Sequence, residues 1–282
     1  MKCAWQEYLQ LLPIWMRCRV DNLGAENLEE LRLRIGRLPE LVLNSGYVFL
    51  ERKVNSEDLS FCISAASQYS PWASTTISDG YLTAPGGHRI GICGDAAIVD
   101  GKVTTVRNVT SICLRVARDF PGVGRQAAKI SGSLLIVGSP GRGKTTLLRD
   151  LIRQKADAGP GAVAVVDERR EVFPTVSDSF CFSPGLRTEV LSGCRKKKGL
   201  EIMIRTMNPA WIAVDEITAE EDCCGVIQAC NCGVSILATA HGESLEDFIQ
   251  RPVYRPLIEN MVFQNIIVMQ PDKSWKLERM NR

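Results

Sequence analysis

The chain has 282 residues, 45% of them hydrophobic and 23% charged, with a formal net charge of +2. That length allows a sizeable core and about two domains, and the balanced charge excludes a strong global field toward nucleic acid or an acidic membrane. No apolar run approaches the roughly 20 residues of a membrane-spanning helix, and Met1–Trp5, with Glu7 close by, lacks the apolar stretch of a secretory signal, so the expected location is cytoplasmic.

In chain order, Glu26 to Ile35 predicts a helix with Leu28, Leu31 and Ile35 on one face. Leu41 to Leu50, broken by Asn44-Ser45-Gly46, predicts a hairpin. Ser56 is placed to cap a helix from Glu57 to about Gln68, with Leu59, Ile63 and Ala66 at helical spacing. Gly80 to Val116 alternates in short runs, predicting strands at Tyr81–Thr83, Arg89–Cys93, Ala97–Val99 and Ile112–Val116, with Pro85-Gly86-Gly87 as a turn. This describes a small α+β domain over 1–120. The Pro- and Gly-punctuated stretch Asp119 to Gly124 separates it from a second domain over 121–282.

In the second domain Ser133–Val137, Ala162–Val166, Trp211–Val214 and Ser235–Ala240 are apolar runs without polar alternation, as suits strands buried on both faces of a parallel sheet. Helical stretches lie between them at Lys144–Ala158, Gly199–Met207 and Ala219–Cys230. Strand–helix alternation predicts an α/β fold with right-handed crossovers. The eleven cysteines, an odd number without an export signal, predict free thiols packed as small hydrophobes, as at Cys62, Cys93, Cys113 and Cys181. The cluster Cys223, Cys224, Cys230 and Cys232 lacks the paired C-x-x-C spacing of a zinc site.

The chemistry concentrates at the ends of those strands. Gly138-Ser139-Pro140-Gly141-Arg142-Gly143-Lys144-Thr145 fits the P-loop pattern G-x-x-x-x-G-K-[ST] at every fixed position, with a strand before it and a helix after it. Its glycines let the backbone wrap a phosphate chain, and its N–H groups and helix N-terminus favour an anion. Lys144 would reach the β- and γ-phosphates of ATP, and the Thr145 hydroxyl would ligate Mg²⁺, with Thr146 entering the helix. Trp211-Ile212-Ala213-Val214-Asp215-Glu216 is an apolar strand ending in two carboxylates. Asp215 is expected to hold the Mg²⁺ shell and Glu216 to act as general base, with strand alternation turning the two to different faces.

Val165-Val166-Asp167-Glu168 is a second acidic strand end; Glu168 is expected either to orient water or Mg²⁺, or to form a surface ion pair with Arg169 and Arg170. His241, after Leu237–Ala240, ends a third such strand and is expected to sense the γ-phosphate or to serve as a structural histidine. Arg89, Arg115, Arg118, Arg187 and Arg205 are the candidates for an arginine finger, because charge placement dominates phosphoryl transfer. Arg195-Lys196-Lys197-Lys198 reads as a solvated loop.

These residues, with Glu29–Arg34, Gly80–Thr83, Gly86–Gly91, Val166–Arg169, Arg205–Pro209, Asp215–Ile217 and Ala238–Gly242, together resemble the stage III sporulation AA family from about Glu29 to the C-terminal strands. That family is similar to the ATPases of type II and type IV secretion and pilus systems. The resemblance implies a RecA-like P-loop domain behind a smaller α+β domain, a homo-hexameric ring, and a role in endospore formation. It also implies membrane protein partners in a secretion-like complex, on the mother-cell side of the forespore membrane. By motif match Glu168 falls in the family's acidic box, Glu216 in its Walker B position and His241 in its histidine box, and Arg89 is the first choice for the finger. Thr218 stands where the family typically has Gly. Two other readings compete. A nucleic-acid-dependent ATPase would need stacking aromatics beside basic residues, and the chain has 6% aromatics with no such interleaving. An ATP-binding scaffold without turnover would not need the full set Lys144, Thr145, Asp215 and Glu216.

Overall fold

The computed structural model describes residues 1–67, 77, 80–176 and 178–280. The chain forms two compact units. The first comprises Met1–Asp119 with Pro174–Phe182, and the second Phe120–Phe173 with Ser183–Arg282. Among the described residues no helix is long and apolar enough to cross a membrane.

The first unit opens with helices α1 (Trp5–Gln10) and α2 (Ile14–Asp21), followed by strands β1 (Leu28–Arg34), β2 (Glu40–Leu43) and β3 (Gly46–Phe49). Helix α3 (Ser56–Ser67) precedes β4 (Tyr81–Thr83), β5 (Arg89–Val99) and β6 (Lys102–Arg115). The strands form one antiparallel sheet in the order β3-β2-β1-β6-β5-β4. Tyr8, Leu12 and Met16 pack with Leu59 and Cys62 against Leu31, Leu33, Leu41, Ile90 and Leu114 of the sheet.

Three expectations change here. The stretch Glu26–Ile35 holds the strand β1, Leu28–Arg34, and not a helix. Leu28, Leu31 and Leu33 are its buried residues, and a register shift between Leu28 and Glu30 breaks the alternation that would have announced it. Pairing on both edges, with β2 and β6, decides the conformation over local pattern. The cap of α3 is Asn55 rather than Ser56: its Oδ1 accepts the Asp58 N–H at 2.9 Å, and Asp58 Oδ2 accepts the Asn55 N–H at 3.0 Å. The expected end of that helix, Gln68, lies outside the described residues. The two strands expected at Arg89–Cys93 and Ala97–Val99 are one, continuous through β5.

In the second unit β7 (Leu134–Val137) leads into α4 (Lys144–Ala158), followed by β8 (Val163–Asp167), β11 (Thr188–Ser192) and α5 (Lys196–Met207). Then come β12 (Trp211–Ile217), α6 (Glu220–Asn231), β13 (Ser235–Ala240), α7 (Leu245–Gln250), α8 (Arg255–Glu259), β14 (Asn265–Met269) and β15 (Trp275–Arg279). Two short strands, β9 (Thr175–Val176) and β10 (Ser179–Phe180), pair within the segment that belongs to the first unit.

The sheet runs β11-β8-β12-β13-β7-β14-β15, parallel except for β15. Every residue of β7 and β8 is buried, as expected for strands covered on both faces. On one face Leu135, Val137, Val166, Ile212, Val214 and Ile236 join Leu200 and Met203 of α5 and Val226 of α6. Helix α4 runs along β7, β8, β12 and β13. The carboxyl ends of β7, β8, β12 and β13 therefore border one crevice.

Candidate functional site

The loop between β7 and α4 turns on two glycines in the left-handed region, Gly141 (φ +76°) and Gly143 (φ +88°), where a side chain would be strained. Gly138 is needed for closeness, since a Cβ there would lie 2.8 Å from Met269 Cβ at the end of β14. Lys144 is buried at the start of α4. Its Nζ donates to the Gly138 carbonyl at 2.7 Å, to the Ser139 carbonyl at 3.1 Å and to His241 Nδ1 at 3.3 Å, which uses all the donors of an ammonium. Burial lowers its pKa, while Asp215 and Glu216 pull the other way.

Thr145 donates its hydroxyl to Asp215 Oδ2 at 2.8 Å. Asp215 Oδ1 accepts the Thr239 hydroxyl at 2.5 Å, and that same hydroxyl accepts the Glu216 N–H at 2.7 Å. Thr239 is fully buried on β13, so one side chain from the neighbouring strand sets both acidic residues.

Glu216 does not follow strand alternation. Its φ is +54°, and the β12–β13 register shifts between Val214 and Ile217. The expectation that Asp215 and Glu216 face opposite sides is therefore corrected: the bulge turns both toward the crevice, which they line with Asp167, Glu168, Arg169 and Lys196. A left-handed non-glycine residue stores backbone strain, and such strain clusters at functional sites. His241 Nε2 donates to Glu216 Oε1 at 2.5 Å, and Arg169 pairs with Glu216 Oε2. With Nδ1 accepting from Lys144, the tautomer that satisfies both contacts carries its proton on Nε2. Burial raises the Glu216 carboxyl, but the His241 hydrogen bond and the Arg169 charge outweigh it, so its pKa is lowered overall.

The acidic turn after β8 is built around Asp167. This buried carboxylate accepts the N–H of Glu171 on Oδ1 and those of Val172 and Phe173 on Oδ2. Burial pushes its pKa up to about 6, against the backbone donors that lower it. Glu168 projects from this turn and meets Lys196 Nζ at 2.6 Å.

Lys196, read from sequence as part of a solvated loop, is instead a buried residue of the first turn of α5, with Asp222 of α6 at 3.7 Å on its other side. Helix α5 approaches β8 through Gly199, where a Cβ would lie 2.4 Å from Val166 Cγ1. That close packing is why a lysine from a basic run enters the crevice. The turn at Thr218 is held by Asp222 Oδ2, which accepts the N–H groups of Thr218 and Ala219.

Sequence reasoning selected Lys144, Thr145, Asp215, Glu216, Glu168 and His241; Asp215, Glu216 and Glu168 line the crevice, and Thr145, Lys144 and His241 are tied to it through the bonds Thr145–Asp215, Lys144–His241 and His241–Glu216. It missed Thr239, Lys196, Asp167 and Arg169 as participants. The signal for Thr239 was present, a lone polar residue in an otherwise apolar buried strand; none existed for Lys196. Arg89 lies in the first unit, its guanidinium 3.9 Å from the Tyr81 ring centroid. Arg118 donates to the carbonyls of Ala25 and Leu28, Arg187 to those of Ala156 and Gly159, and Arg115 pairs with Glu30. Arg205 is exposed on α5. Of the cysteines, Cys62 and Cys223 are buried, whereas Cys93, Cys224 and Cys232 are exposed.

A family model described as "Sporulation stage III, protein AA" matches residues 5–276. The chain belongs to the stage III sporulation AA family. Stage III sporulation protein AA of Bacillus subtilis is 33% identical over 280 residues, covering 95% of this chain and 91% of that protein. Two solved structures share the fold. The Legionella pneumophila ATPase DotB is 17% identical with a TM-score of 0.58, covering 95% of this chain and 80% of that one. The pilus retraction motor PilT with bound ADP is 16% identical with a TM-score of 0.62, covering 96% and 84%. The stage III sporulation AA chain thus has the RecA-like P-loop fold with a smaller α+β domain that its sequence predicts.

Proposed function

We propose that this chain binds ATP with Mg²⁺ at the loop Gly138–Thr145, hydrolyses it, and works as the ring-forming motor of a secretion-like complex in endospore formation. The observation that carries the reading is the convergence on one loop. Thr145 bonds Asp215 at 2.8 Å, while Lys144 bonds His241, which holds Glu216.

Gly138, Ser139, Pro140, Gly141, Arg142 and Gly143 form the phosphate cradle, with Thr146 following Thr145 into α4. The Thr145 hydroxyl and Asp215 carboxylate are adjacent hard oxygen donors, a set that fits Mg²⁺. Bound there, Mg²⁺ supplies charge that neutralises the β- and γ-phosphates. Lys144 carries three N–H donors that a phosphate chain takes over from carbonyls and His241. In hydrolysis a water oxygen bonds the γ-phosphorus as the bond to the β–γ bridging oxygen breaks, and ADP leaves with that electron pair. Glu216, kept ionised by His241 and Arg169, accepts the water's proton. Glu168 orients the water, itself oriented by Lys196. His241 links the γ-phosphate ligand Lys144 to the base and so reports occupancy.

Arg89 is the proposed arginine finger of a homo-hexamer. The proposed partners are membrane protein components on the cytoplasmic, mother-cell side of the forespore membrane. Support comes from family membership and from the shared fold of DotB, an ATPase, and PilT, a pilus retraction motor solved with bound ADP. Lys144→Ala tests the assignment: equilibrium binding of ATP should be lost in a chain that still folds, and tight binding by the variant would refute it.

A further inference from the structure

Helix α4 carries a set of buried charges that phosphate binding does not use. Arg149 and Arg153 are less than a tenth exposed and Asp150 is fully buried. Buried charges are costly unless each finds a partner, and their best-attested gain is to fix one arrangement against others. Here the partners follow a pattern. Asp150 Oδ2 accepts the N–H groups of Gly122 at 2.9 Å and Gly124 at 2.7 Å. Arg149 donates to the carbonyls of Val172 at 2.6 Å and Glu171 at 2.9 Å. Arg153 donates to the Ser183 carbonyl at 2.9 Å and is itself held by Asp150 Oδ1 at 2.8 Å.

The chain passes between its two units at three places: Asp119 to Phe120, Phe173 to Pro174, and Phe182 to Ser183. Each is within a few residues of one of these partners, on the second unit's side. Two glycines add an independent observation. A Cβ on Gly124 would lie 2.7 Å from the Leu151 nitrogen, and one on Gly185 would lie 3.1 Å from the Arg153 carbonyl oxygen. The segments beside the first and third crossings therefore lie directly on the helix backbone.

We infer that Arg149, Asp150 and Arg153 are positioning residues that fasten every crossing to the helix beginning at Lys144, so that nucleotide occupancy of the loop is transmitted to all three crossings at once. The inference rests on the nucleotide reading above. Because Asp150 both holds Gly122 and Gly124 and orients Arg153, its loss should release two crossings that are distant in sequence. A merely local role would release one.

Hydrogen exchange read by mass spectrometry tests this on the full chain, with and without a non-hydrolysable ATP analogue. In the wild type the analogue should slow exchange in 120–124 and 183–186 by about fivefold or more, the lower end of ordinary coupling between sites. In Asp150→Asn the analogue should bind with a Kd within about threefold of wild type, a change small beside that coupling, yet the response should vanish in both segments. Gly124→Ala, which displaces the first crossing from α4 without touching a charge, should lose the response in 120–124 and serves if Asp150→Asn does not fold. Analogue binding with no wild-type response, or a full response in both segments of a variant that binds, overturns the inference. Failure of the wild type to bind the analogue instead removes the nucleotide reading on which it stands.

Discussion

Thr239 ties the two adjacent acidic residues of β12 together. It donates to Asp215 and accepts from the Glu216 backbone, and it is fully buried, so nothing replaces it when it is removed. Thr239→Val keeps the shape and deletes both bonds. It should destabilise the fold by about 1–3 kcal/mol, the cost of leaving buried polar groups unpaired, and lower turnover more than nucleotide affinity. Denaturant titration and a phosphate-release assay measure the two effects, and unchanged turnover would show that Glu216 does not need this support.

A second residue-scale prediction concerns His88 in the first unit. Its Nε2 donates to the Ala4 carbonyl and its Nδ1 accepts the Ala117 N–H, both at 3.0 Å, and burial pushes its pKa down to about 4. The folded value lies below the unfolded one near 6.5, so its contribution is full above about pH 6.5 and is lost as pH falls toward 4. The loss should reach about 3 kcal/mol in wild type and be largely absent in His88→Gln. Asp167, pushed up to about 6, has the opposite sense, its contribution being lost as pH rises through that value. Because Asp167 is common to both proteins, the difference between their pH–stability curves isolates His88.

Among the elements, those with regular burial were legible in sequence and those shaped by partners were not. Helix α4 runs from Lys144 to Ala158, the span its pattern predicts, because a glycine in the left-handed region starts it and Gly159 follows its end. Strands β7, β8 and β13 were legible as unbroken apolar runs. Strand β1 was not, because Glu29-Glu30 and a register shift imitate helical spacing, and only pairing with β2 and β6 resolves it. The bulge in β12 was equally hidden, since nothing in Val214-Asp215-Glu216 announces a left-handed glutamate. Helix α5 was legible only from Gly199 onward; its first turn, with Lys196, is drawn inward by packing. Gly199→Ala tests that packing. The substitution gains up to about 1 kcal/mol of helix propensity, but overpacking against Val166 should cost about 1–3 kcal/mol. Thermal unfolding should shift downward, and a rise would show that the helix is free to move outward.

On the scale of the molecule, the P-loop alone predicts a bound triphosphate and little else. The fold adds three neighbouring strand ends, so that Lys144, Thr145 and His241 are hydrogen-bonded into a network with Asp215 and Glu216, which line one crevice with Glu168. Family membership adds the sporulation context. Sequence pattern singled out the candidate residues because phosphate-binding loops and acidic strand ends have fixed local requirements. It could not locate Thr239, Lys196 or the charged face of α4, whose roles exist only once distant segments meet. The function proposed above is that of an enzyme that turns over, and the competing one is a protein that merely holds nucleotide. Glu216→Gln tests that claim most directly, by measuring ATP binding and phosphate release on the same preparation. Binding should be retained while phosphate release falls by about 10²–10⁴-fold, as for loss of a general base; near-normal release from the variant would contradict the account.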